Sequence, residues 1–310
     1  MNDAVRAAER LLRAACGERV RTSFPMALLT TFRIGGPAAL YLEVESEADL
    51  RAAGEAVRRT GVPMVVIGKG SNVLVSDRGF AGLVLRLGRG YRFAARDADR
   101  LTAGGAMPLP ALSGVALAHS LSGLEFGVAI PASLGGAIRM NAGAHGRELA
   151  DVIESVDVFE LLGDALRRVP ARAVGFRYRN TDLAWDAVIV GAVLRLRGDR
   201  PEDIRARMDE AREWRRRTQP LAEPNCGSVF KNPEGDHAAR LIEAAGGKGL
   251  TVGGAAVSRK HANFIVTSSA ARAADVVDLI RTVQDLVARR FGVHLEPEVH
   301  LVGDFDLVPR

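Results

Sequence analysis

The sequence contains little lysine, little cysteine and few aromatic residues. Only four of its 310 residues are lysine against 38 arginines, two are cysteine, and aromatic residues make up 5%. Cys16 and Cys226 lie far apart and neither has metal-ligand spacing, which argues against a disulfide framework and predicts two reduced, structural thiols. No apolar run is long enough to cross a bilayer, and the N-terminal stretch lacks the apolar middle of a signal peptide. We therefore expect a cytoplasmic protein.

The excess of positive charge is compatible with anionic partners. A net charge of +5 and a pI near 9.7 make nucleic acid the first candidate to test. No nucleic-acid motif accompanies that charge, and the densest basic run, residues 213–217, is typical of the solvated end of a helix. We expect no nucleic-acid, membrane or obligatory protein partner, and no metal.

The four lysines fall in glycine-rich or asparagine-rich segments and not on helix faces. A compact ammonium fits such positions where a broad guanidinium does not, so we expect a functional role for at least two of them, the alternative being chance. They are Lys69, Lys231, Lys248 and Lys260.

Short apolar runs and a few helical patterns divide the chain. A helix at 47–60 lies between the first two predicted strands, as in a β-α-β unit, and Gly163-Asp164 predicts a hairpin. Strands are predicted at 39–44, 63–67, 73–76, 83–87, 153–161, 166–169 and 188–196. A charged helix opens at Pro201, which we take as the domain junction. Helices at 236–245 and 271–291 follow, and alternating residues over 293–301 predict a strand.

A glycine-rich loop follows the predicted strand at 63–67. Its small residues allow consecutive backbone N–H groups to converge on an anion such as a diphosphate, although a plain tight turn explains the segment equally well. The loop fits neither the Rossmann fingerprint nor the P-loop, since Val73 stands at the third glycine position and no helix follows. It consists of Ile67, Gly68, Lys69, Gly70, Ser71 and Asn72.

Residues 130–146 are almost free of bulky side chains. Such a wall suits a flat ring like isoalloxazine, and the alternative is close packing of a turn against a strand. Arg139 and Asn141 are polar residues in this small, apolar run, which weighs against the packing alternative.

Further on, GSVFKNP places Ser228, Lys231 and Asn232 within five residues. No nucleophile elbow surrounds Ser228, so a proton donor is the functional alternative to a surface serine.

The motifs in their order resemble the UDP-N-acetylenolpyruvoylglucosamine reductase (MurB) family. They are TTFRIGG, GKGSNVLVSDRGF, IPASLGGAIRMNAGAHG, FRYRN, GSVFKNP, GGAAVSRKHANF and LEPEV, between about residues 30 and 303. About 50 residues separate Arg179 from Ser228, which resembles the shorter subtype without a tyrosine-bearing insertion. His145 departs from the family by taking a position often held by tyrosine.

The resemblance implies an α+β fold in two domains. A two-lobed FAD-binding domain of the vanillyl-alcohol-oxidase (PCMH) type would span residues 1–200, with lobes at about 20–90 and 91–200. A smaller α/β substrate-binding domain would span 201–310 and begin with a linker helix at 201–217. The implied reaction is NADPH-dependent reduction of UDP-N-acetylglucosamine enolpyruvate to UDP-N-acetylmuramate through non-covalently bound FAD. The alternatives are another FAD-dependent sugar or alcohol oxidoreductase of the same fold, or a non-catalytic UDP-sugar or nucleic-acid binder.

The resemblance also assigns roles to residues. Arg179 and Glu298 match the groups that stabilise the charged transition state, and Ser228 matches the general acid. Substrate binding is implied for Lys231, Asn232 and Lys248. Cofactor binding is implied for Ile67, Gly68, Lys69, Gly70, Ser71, Asn72, Ser133, Gly136, Asn141, Ala142, Gly143 and Val190.

Overall fold

The chain forms two compact units in a computed structural model that describes residues 2–305. The first unit contains residues 2–22, 40–69 and 82–215. The second contains residues 23–39 and 70–81 together with the chain from 216 onwards. Each unit has its own hydrophobic core, as expected for a chain too long to grow a single one.

The described chain contains both helices and strands. The helices are α1 (Asp3–Cys16), α2 (Glu47–Thr60), α3 (Leu109–Ala118), α4 (Leu134–Arg139), α5 (Ala171–Val174), α6 (Pro201–Thr218), α7 (Ala238–Ala244) and α8 (Ala273–Phe291). The strands are β1 (Val20–Pro25), β2 (Pro37–Val44), β3 (Met64–Val66), β4 (Val73–Val75), β5 (Phe80–Leu87), β6 (Ala94–Asp97), β7 (Arg100–Gly104), β8 (Leu121–Ser122), β9 (Gly143–Ala144), β10 (Arg147–Glu148), β11 (Ile153–Glu160), β12 (Ala165–Pro170), β13 (Ala187–Arg195), β14 (Arg197–Gly198), β15 (Thr251–Val252), β16 (Ala255–Val257), β17 (Ile265–Thr267) and β18 (His300–Val302).

Helix α2 illustrates how the local sequence sets both ends of an element. The Ser46 hydroxyl accepts a hydrogen bond from the N–H of Asp49, and the Asp49 carboxylate accepts one from the N–H of Ser46. This capping box satisfies donors that the first helical turn leaves open. Gly61 ends the helix in the left-handed conformation at φ 65°. The helix observed confirms the predicted range of 47–60.

Two sheets carry most of the first unit. Strands of the first sheet are ordered β1-β2-β5-β3, with β3 and β5 parallel, so β5 lies between the two strands that flank α2. The second sheet is ordered β12-β11-β13-β7-β6. Its β11–β12 hairpin pairs Glu160 with Ala165 and confirms the turn predicted at Gly163-Asp164. The core of this unit lies among β7, β11, β13, α3 and α4.

The second unit is built on α8. Buried positions Val276, Ile280, Val283 and Val287 of this helix pack against the three-stranded sheet β15-β16-β17 and against α7. Asp77 fixes the start of α8, because its two carboxylate oxygens accept hydrogen bonds from Ala273 and Ala274 N–H at 2.7 and 3.0 Å. Strand β18 pairs parallel with β4, which places the C-terminal LEPEV segment beside the end of the glycine-rich loop.

The strand predicted over residues 293–301 is wrong except at its end. Only His300–Val302 forms a strand, and Phe230 and Pro297 form an isolated bridge. Leu295 and Val299 are buried as the alternation predicted, but Leu301 is 40% exposed. Proline offers no N–H for a regular ladder, so the segment around Pro297 follows its tertiary neighbours and not the local period.

The other predicted elements are present with shifted ends. Strands appear near each predicted range, α6 opens at Pro201, and the helices predicted at 236–245 and 271–291 are α7 and α8. Both cysteines are free and buried, as predicted. Across residues 2–305, none of the helices combines the length and the apolarity that a bilayer crossing requires.

Candidate active site

The glycine-rich loop after β3 approaches Ser133 within the first unit. Ile67 is buried, and its N–H donates to the carbonyl of Leu85 on β5 at 2.8 Å. A Cβ atom on Gly68 would lie 2.3 Å from the Ser133 Oγ, closer than side-chain carbon atoms come to oxygen. Glycine is therefore needed for this approach. The two glycine-rich segments that the sequence singled out meet here.

The second glycine-rich segment holds both packed and open glycines. The buried Ser133 hydroxyl precedes α4 and accepts a hydrogen bond from the N–H of Gly136 at 3.4 Å. A Cβ on Gly135 would lie 3.0 Å from the carbonyl oxygen of Ile189, so Gly135 packs against β13. A Cβ on Gly136 would have one neighbour within 4 Å, the Ser133 Oγ at 3.3 Å. Packing explains Gly135, while Gly136 has the open surface that a flat ligand needs.

Asn141 connects two loops of the first unit. Its side chain is fully buried, with Nδ2 donating to the carbonyl of Arg177 at 3.1 Å and Oδ1 accepting from the N–H of Ala150 at 3.0 Å. A Cβ on Gly143 would lie 2.4 Å from a backbone oxygen of β10, so the hairpin β9–β10 requires glycine there. Asn141 and Gly143 thus have structural roles, and flavin binding by them and by the half-buried Ala142 stays a prediction.

The contacts of Arg139 favour close packing over ligand binding as the explanation of this residue. Its guanidinium donates to the carbonyls of Leu183 and Ala184 at 2.7 and 3.0 Å and to that of Ala187. Burial lowers the pKa of this guanidinium, and the nearby Asp186 carboxylate partly offsets the effect. The arginine therefore ties α4 to the loop before β13, and its polarity does not require a ligand.

Arg179 lies in a tight turn of the first unit. Arg177 and Asn180 close that turn with two backbone hydrogen bonds of 3.0 and 3.1 Å. Arg179 has a φ of 56°, a conformation that side-chain-bearing residues keep only where their surroundings fix it. Its Nη2 donates to the carbonyl of Gly143 at 3.2 Å, and its guanidinium lies 4.9 Å from the ring centre of Tyr178. The turn thus directs a cation to the glycine-rich segment.

Lys69 stands among other cations of the first unit. Burial is the largest cause that lowers its pKa, and the positive charges of Arg86 and Arg92 lower it further. Sequence reasoning missed both arginines, because nothing distinguishes them among the 38 of the chain. A partly buried ammonium that is repelled by two other positive charges is suited to an anion.

Val190 lines a cavity of about 260 Å³ in the first unit, together with Glu45, Tyr91 and Phe159. Its carbonyl accepts a hydrogen bond from the N–H of Gly105 at 2.8 Å. Burial and the charges of Glu47 and Asp49 raise the pKa of Tyr91 to about 12, so its hydroxyl stays protonated. The role predicted for Val190 in flavin binding stays a prediction.

The rest of the GKGSN loop belongs to the second unit. Gly70 has a φ of 61°, and a Cβ there would lie 1.9 Å from the Leu29 carbonyl oxygen, so glycine is required. The half-buried Ser71 follows. The Asn72 Nδ2 donates to the backbone carbonyl of Glu298 at 3.0 Å, and the Asn72 carbonyl accepts from the N–H of His300 at 3.1 Å. Asn72 thereby joins the loop to the LEPEV segment.

Ser228 and Glu298 lie on neighbouring segments of the second unit. The N–H of Glu298 donates to the carbonyl of Val229 at 2.7 Å, and the N–H of Lys231 donates to the carbonyl of Glu296 at 2.9 Å. Both Ser228 and Glu298 are half-buried. Two of the three predicted catalytic residues are therefore brought together by backbone pairing, and the third, Arg179, lies in the first unit.

The Asn263 side chain hydrogen-bonds to the backbone of the GSVFKNP segment. The sequence did not indicate this role. Its Oδ1 accepts from the N–H of Phe230 at 2.9 Å, and its Nδ2 donates to the Phe230 carbonyl at 2.8 Å. Its own carbonyl accepts from the N–H of Val229 at 2.9 Å. Asn263 belongs to the HANF motif, but the partner is 33 residues away, and no local pattern shows such a contact.

The predicted substrate-binding side chains already have partners in the second unit. Lys231 Nζ lies 2.6 Å from Glu296 Oε1, and Lys248 Nζ lies 2.7 Å from Glu243 Oε1. Both carboxylates are well exposed, so an anionic ligand can compete with them for the lysines. Asn232 Oδ1 accepts a hydrogen bond from the N–H of Ala238 at the start of α7, at 3.1 Å.

Two family models match this chain. Residues 219–302 match UDP-N-acetylenolpyruvoylglucosamine reductase, C-terminal domain, and residues 38–167 match an FAD binding domain. A UDP-N-acetylenolpyruvoylglucosamine reductase of Heliobacterium modesticaldum is 46% identical over 283 residues, 90% of this chain and 90% of that protein. One from an Anaeromyxobacter species is 45% identical over 290 residues, 93% of this chain and 90% of that protein.

Solved structures agree with these matches. The crystal structure of UDP-N-acetylenolpyruvylglucosamine reductase (MurB) from Thermus caldophilus has a TM-score of 0.79 and 37% identity, covering 90% of this chain and 97% of that one. A variant of Phl p 4, a glucose oxidase, has a TM-score of 0.50 and 14% identity over 64% of this chain and 45% of that one, which shows the fold alone. The predicted α+β fold with an FAD-binding domain of the vanillyl-alcohol-oxidase type is confirmed.

Proposed function

The chain belongs to the UDP-N-acetylenolpyruvoylglucosamine reductase (MurB) family, and we propose from this that it reduces the enolpyruvyl ether of a UDP-amino sugar. The substrate is UDP-N-acetylglucosamine enolpyruvate, the product is UDP-N-acetylmuramate, FAD is the cofactor and NADPH the co-substrate. The pathway is peptidoglycan precursor synthesis in the cytoplasm, and through it the enzyme serves cell shape and division.

The residues of the first unit fit the cofactor. Gly68 lies so close to the Ser133 Oγ that a side chain would not fit, Gly136 is exposed, and Lys69 offers a cation next to Gly68. When bound, FAD supplies hydride-transfer chemistry. The chain positions the flavin through residues 67–72, with Ser133, Gly136, Asn141, Ala142, Gly143 and Val190 as the remaining predicted contacts.

Arg179 and Glu298 stabilise the charge that develops on the substrate. Hydride addition to the terminal carbon of the enolpyruvyl group moves negative charge onto the adjacent carboxylate. Arg179 supplies a fixed positive charge there, and the strained turn that holds it limits its reorganisation. Glu298 assists as a hydrogen-bond donor, which requires its carboxyl to be protonated.

Ser228 donates the proton that completes the reduction. Its Oγ–H transfers a proton to the substrate carbon that bears the carboxylate, as a general acid. A serine hydroxyl is a weak acid, so positive charge must favour its alkoxide, and Lys231 and Arg179 are the candidates for that role. The pairing of Glu298 N–H with the Val229 carbonyl at 2.7 Å supports joint action of Ser228 and Glu298.

The UDP moiety is held by the second unit. Lys231 and Lys248 bind its phosphates as point charges once the phosphates have displaced the exposed glutamate partners. Asn232 binds the sugar. We assign the FAD-binding domain to residues 1–200, with lobes at about 20–90 and 91–200, and the substrate domain to 201–310, with a linker helix at 201–217. The matched ranges 38–167 and 219–302 support this division.

The observation that carries the proposal is 46% identity over 90% of the chain to a named reductase. The test follows NADPH oxidation by the purified yellow protein with and without UDP-N-acetylglucosamine enolpyruvate. Stimulation by the sugar substrate supports the function. A colourless protein, or rapid reoxidation by oxygen without any stimulation by the substrate, contradicts it and favours a binding protein or another oxidoreductase of this fold.

A further inference from the structure

The loop between β16 and β17, residues 258–264, contains a histidine whose ring is fixed by two contacts. The Nδ1 atom of His261 accepts a hydrogen bond from the N–H of Asn263 at 3.2 Å. The ring also makes an edge contact with Phe264, with ring centres 4.6 Å apart. An acceptor at Nδ1 needs a free lone pair there, so this bond exists only with a neutral imidazole that carries its proton on Nε2.

Asn263 connects the histidine to the GSVFKNP segment. Its side chain bonds both the N–H and the carbonyl of Phe230, and its own carbonyl accepts from the N–H of Val229. The carbonyl of Val229 in turn accepts from the N–H of Glu298 at 2.7 Å. A continuous series of hydrogen bonds within the second unit therefore joins the imidazole of His261 to the backbone of GSVFKNP and of LEPEV.

The start of the same loop is tied to the segment that carries Lys248. The carbonyl of Val257, the last residue of β16, accepts from the N–H of Gly249 at 3.0 Å. The loop thus connects the two segments of the second unit that contain predicted substrate-binding residues. A change at its histidine is expected to reach the functional side chains without any contact between the histidine and the substrate.

The surroundings of the ring favour its neutral form. Burial is the largest cause that lowers the pKa of His261, and the positive charge of Lys248 lowers it further, while the Glu243 carboxylate raises it. Arg259 and Lys260, the other charged residues of the loop, are both exposed. A histidine with a lowered pKa gains its proton only below the usual value of about 6.5. The bond to the neighbouring N–H is therefore intact at neutral pH.

We propose that His261 is a positioning residue for proton donation by Ser228, and that it serves this role only as the neutral imidazole. This inference rests on the proposed function. The Nδ1 lone pair holds the N–H of Asn263 and, through it, the backbone on which Ser228 lies. Protonation of the ring replaces the acceptor by a donor, so the bond to Asn263 breaks and the serine hydroxyl loses its fixed position. Flavin reduction by NADPH does not use that hydroxyl and is independent of the histidine.

The experiment follows the two half-reactions of wild type, His261→Phe and His261→Asn by rapid mixing. His261→Phe keeps a ring beside Phe264 but has no acceptor. Reoxidation of the reduced flavin by UDP-N-acetylglucosamine enolpyruvate should therefore slow about tenfold, as expected when a hydrogen bond that positions a reacting group is lost. His261→Asn keeps an acceptor, because an asparagine oxygen can bond the N–H two residues later, and should stay within about twofold of wild type. Flavin reduction by NADPH should be unchanged in both variants.

The pH profile separates the acceptor role from packing. Because the pKa of His261 is lowered, wild-type reoxidation should be fully active at neutral pH and slow as the pH falls through a value below about 6.5. In His261→Asn this loss should disappear, since the amide does not titrate. Nitrogen-15 NMR of the histidine rings should show the Nε2–H form of His261 at pH 7. His119→Asn is the matched control, because His119 is exposed at the end of α3 in the first unit, and its profile should equal that of wild type.

Wild-type reoxidation in His261→Phe overturns the proposal, and so does a slowing in His261→Asn as large as that in His261→Phe. An acid loss that persists in His261→Asn, or equal slowing of both half-reactions, overturns it as well. If His261→Phe does not fold, the pH profile of His261→Asn decides alone. A wild-type enzyme whose reduced flavin is not reoxidised by the sugar substrate contradicts the proposed function instead.

Discussion

The side-chain amide of Asn72 donates a hydrogen bond to the backbone carbonyl of Glu298 at 3.0 Å. Asn72 ends the glycine-rich loop, and Glu298 belongs to the LEPEV segment 226 residues later. Because the N–H of Glu298 also donates to the Val229 carbonyl at 2.7 Å, its backbone is fixed on both sides. The position of the Glu298 carboxyl therefore depends on Asn72.

Asn72→Ala should reduce both stability and turnover. The variant leaves the Glu298 carbonyl without its amide donor, which costs about 1–2 kcal/mol in the free energy of unfolding, measured in urea. Gln284→Ala is the matched control, since Gln284 Nε2 donates to the carbonyl of Leu295 at 2.9 Å in the same segment. Similar losses of stability are expected, but turnover should fall more in Asn72→Ala. Equal turnover in the two variants would refute the positioning role.

Gly68→Ala should displace the Ser133 hydroxyl. The new Cβ would lie 2.3 Å from the Ser133 Oγ, which can rotate away only by giving up its bond to Gly136. We expect a loss of about 1 kcal/mol, the usual value of a helix N-cap. Ser133→Ala should cost a similar amount, and the double variant no more than either single one.

The control for this cycle is Gly114→Ala in α3, where an added Cβ meets nothing within 4 Å. It should raise stability by about 0.5–1 kcal/mol. Additive losses in the Gly68→Ala, Ser133→Ala double variant would show that the two sites do not contact each other in solution.

The first unit should become less stable in acid, because protonation of Asp49 removes its interaction with Arg19. The bidentate Arg19 guanidinium is the largest cause that lowers the pKa of Asp49, and backbone N–H groups add to it. A carboxyl with a lowered folded-state pKa contributes stability that is fully present above its unfolded value, about 3.9, and is lost as pH falls through the folded value.

Asp49→Asn should therefore lower the free energy of unfolding at pH 7, and the difference from wild type should shrink below about pH 4. Urea titrations between pH 2.5 and 7 measure it. Asp3→Asn is the control, because the Asp3 side chain is 98% exposed and its pair with Arg6 is a surface one. A difference that is constant with pH would be incompatible with the Asp49–Arg19 interaction.

Glu296→Gln should tighten substrate binding. Lys231 Nζ lies 2.6 Å from the Glu296 carboxylate, whose side chain is 68% exposed. Removing that charge frees the ammonium for a phosphate, and a surface pair of this kind contributes up to about 1 kcal/mol, so KM should fall about threefold with kcat unchanged. Glu160→Gln, which removes a partner of Arg167 in the first unit, should leave KM unchanged. A rise of KM in Glu296→Gln would contradict the role given to Lys231.

Sequence patterns correctly predicted the elements whose ends are determined by residues within or next to the element. Helix α2 has its capping box and Gly61 within its own sequence, and the β11–β12 hairpin has its turn at Gly163-Asp164. The strand predicted over 293–301 failed because Pro297 and the pairing with Phe230 control that segment, and both effects depend on tertiary contact.

The same distinction applies to the candidate site. Ser228, Glu298 and the glycine loops lie in recognisable motifs. The contacts of Asn263, Arg86 and Arg92 were not predicted, because they arise from neighbours brought close by the fold. Arg139 and Asn141 were interpreted as evidence for a ligand wall, and the structure shows their polar groups bonded inside the protein.

The most direct measurement follows the two half-reactions of Ser228→Ala by rapid mixing, with the exposed Ser268→Ala as control. Flavin reduction by NADPH should proceed at the wild-type rate, while reoxidation by UDP-N-acetylglucosamine enolpyruvate should slow about a thousandfold, in the range of lost general-acid catalysis. Ser268→Ala should leave both half-reactions intact. Equal slowing of the two half-reactions in Ser228→Ala, or no slowing of the second, would contradict proton donation by Ser228.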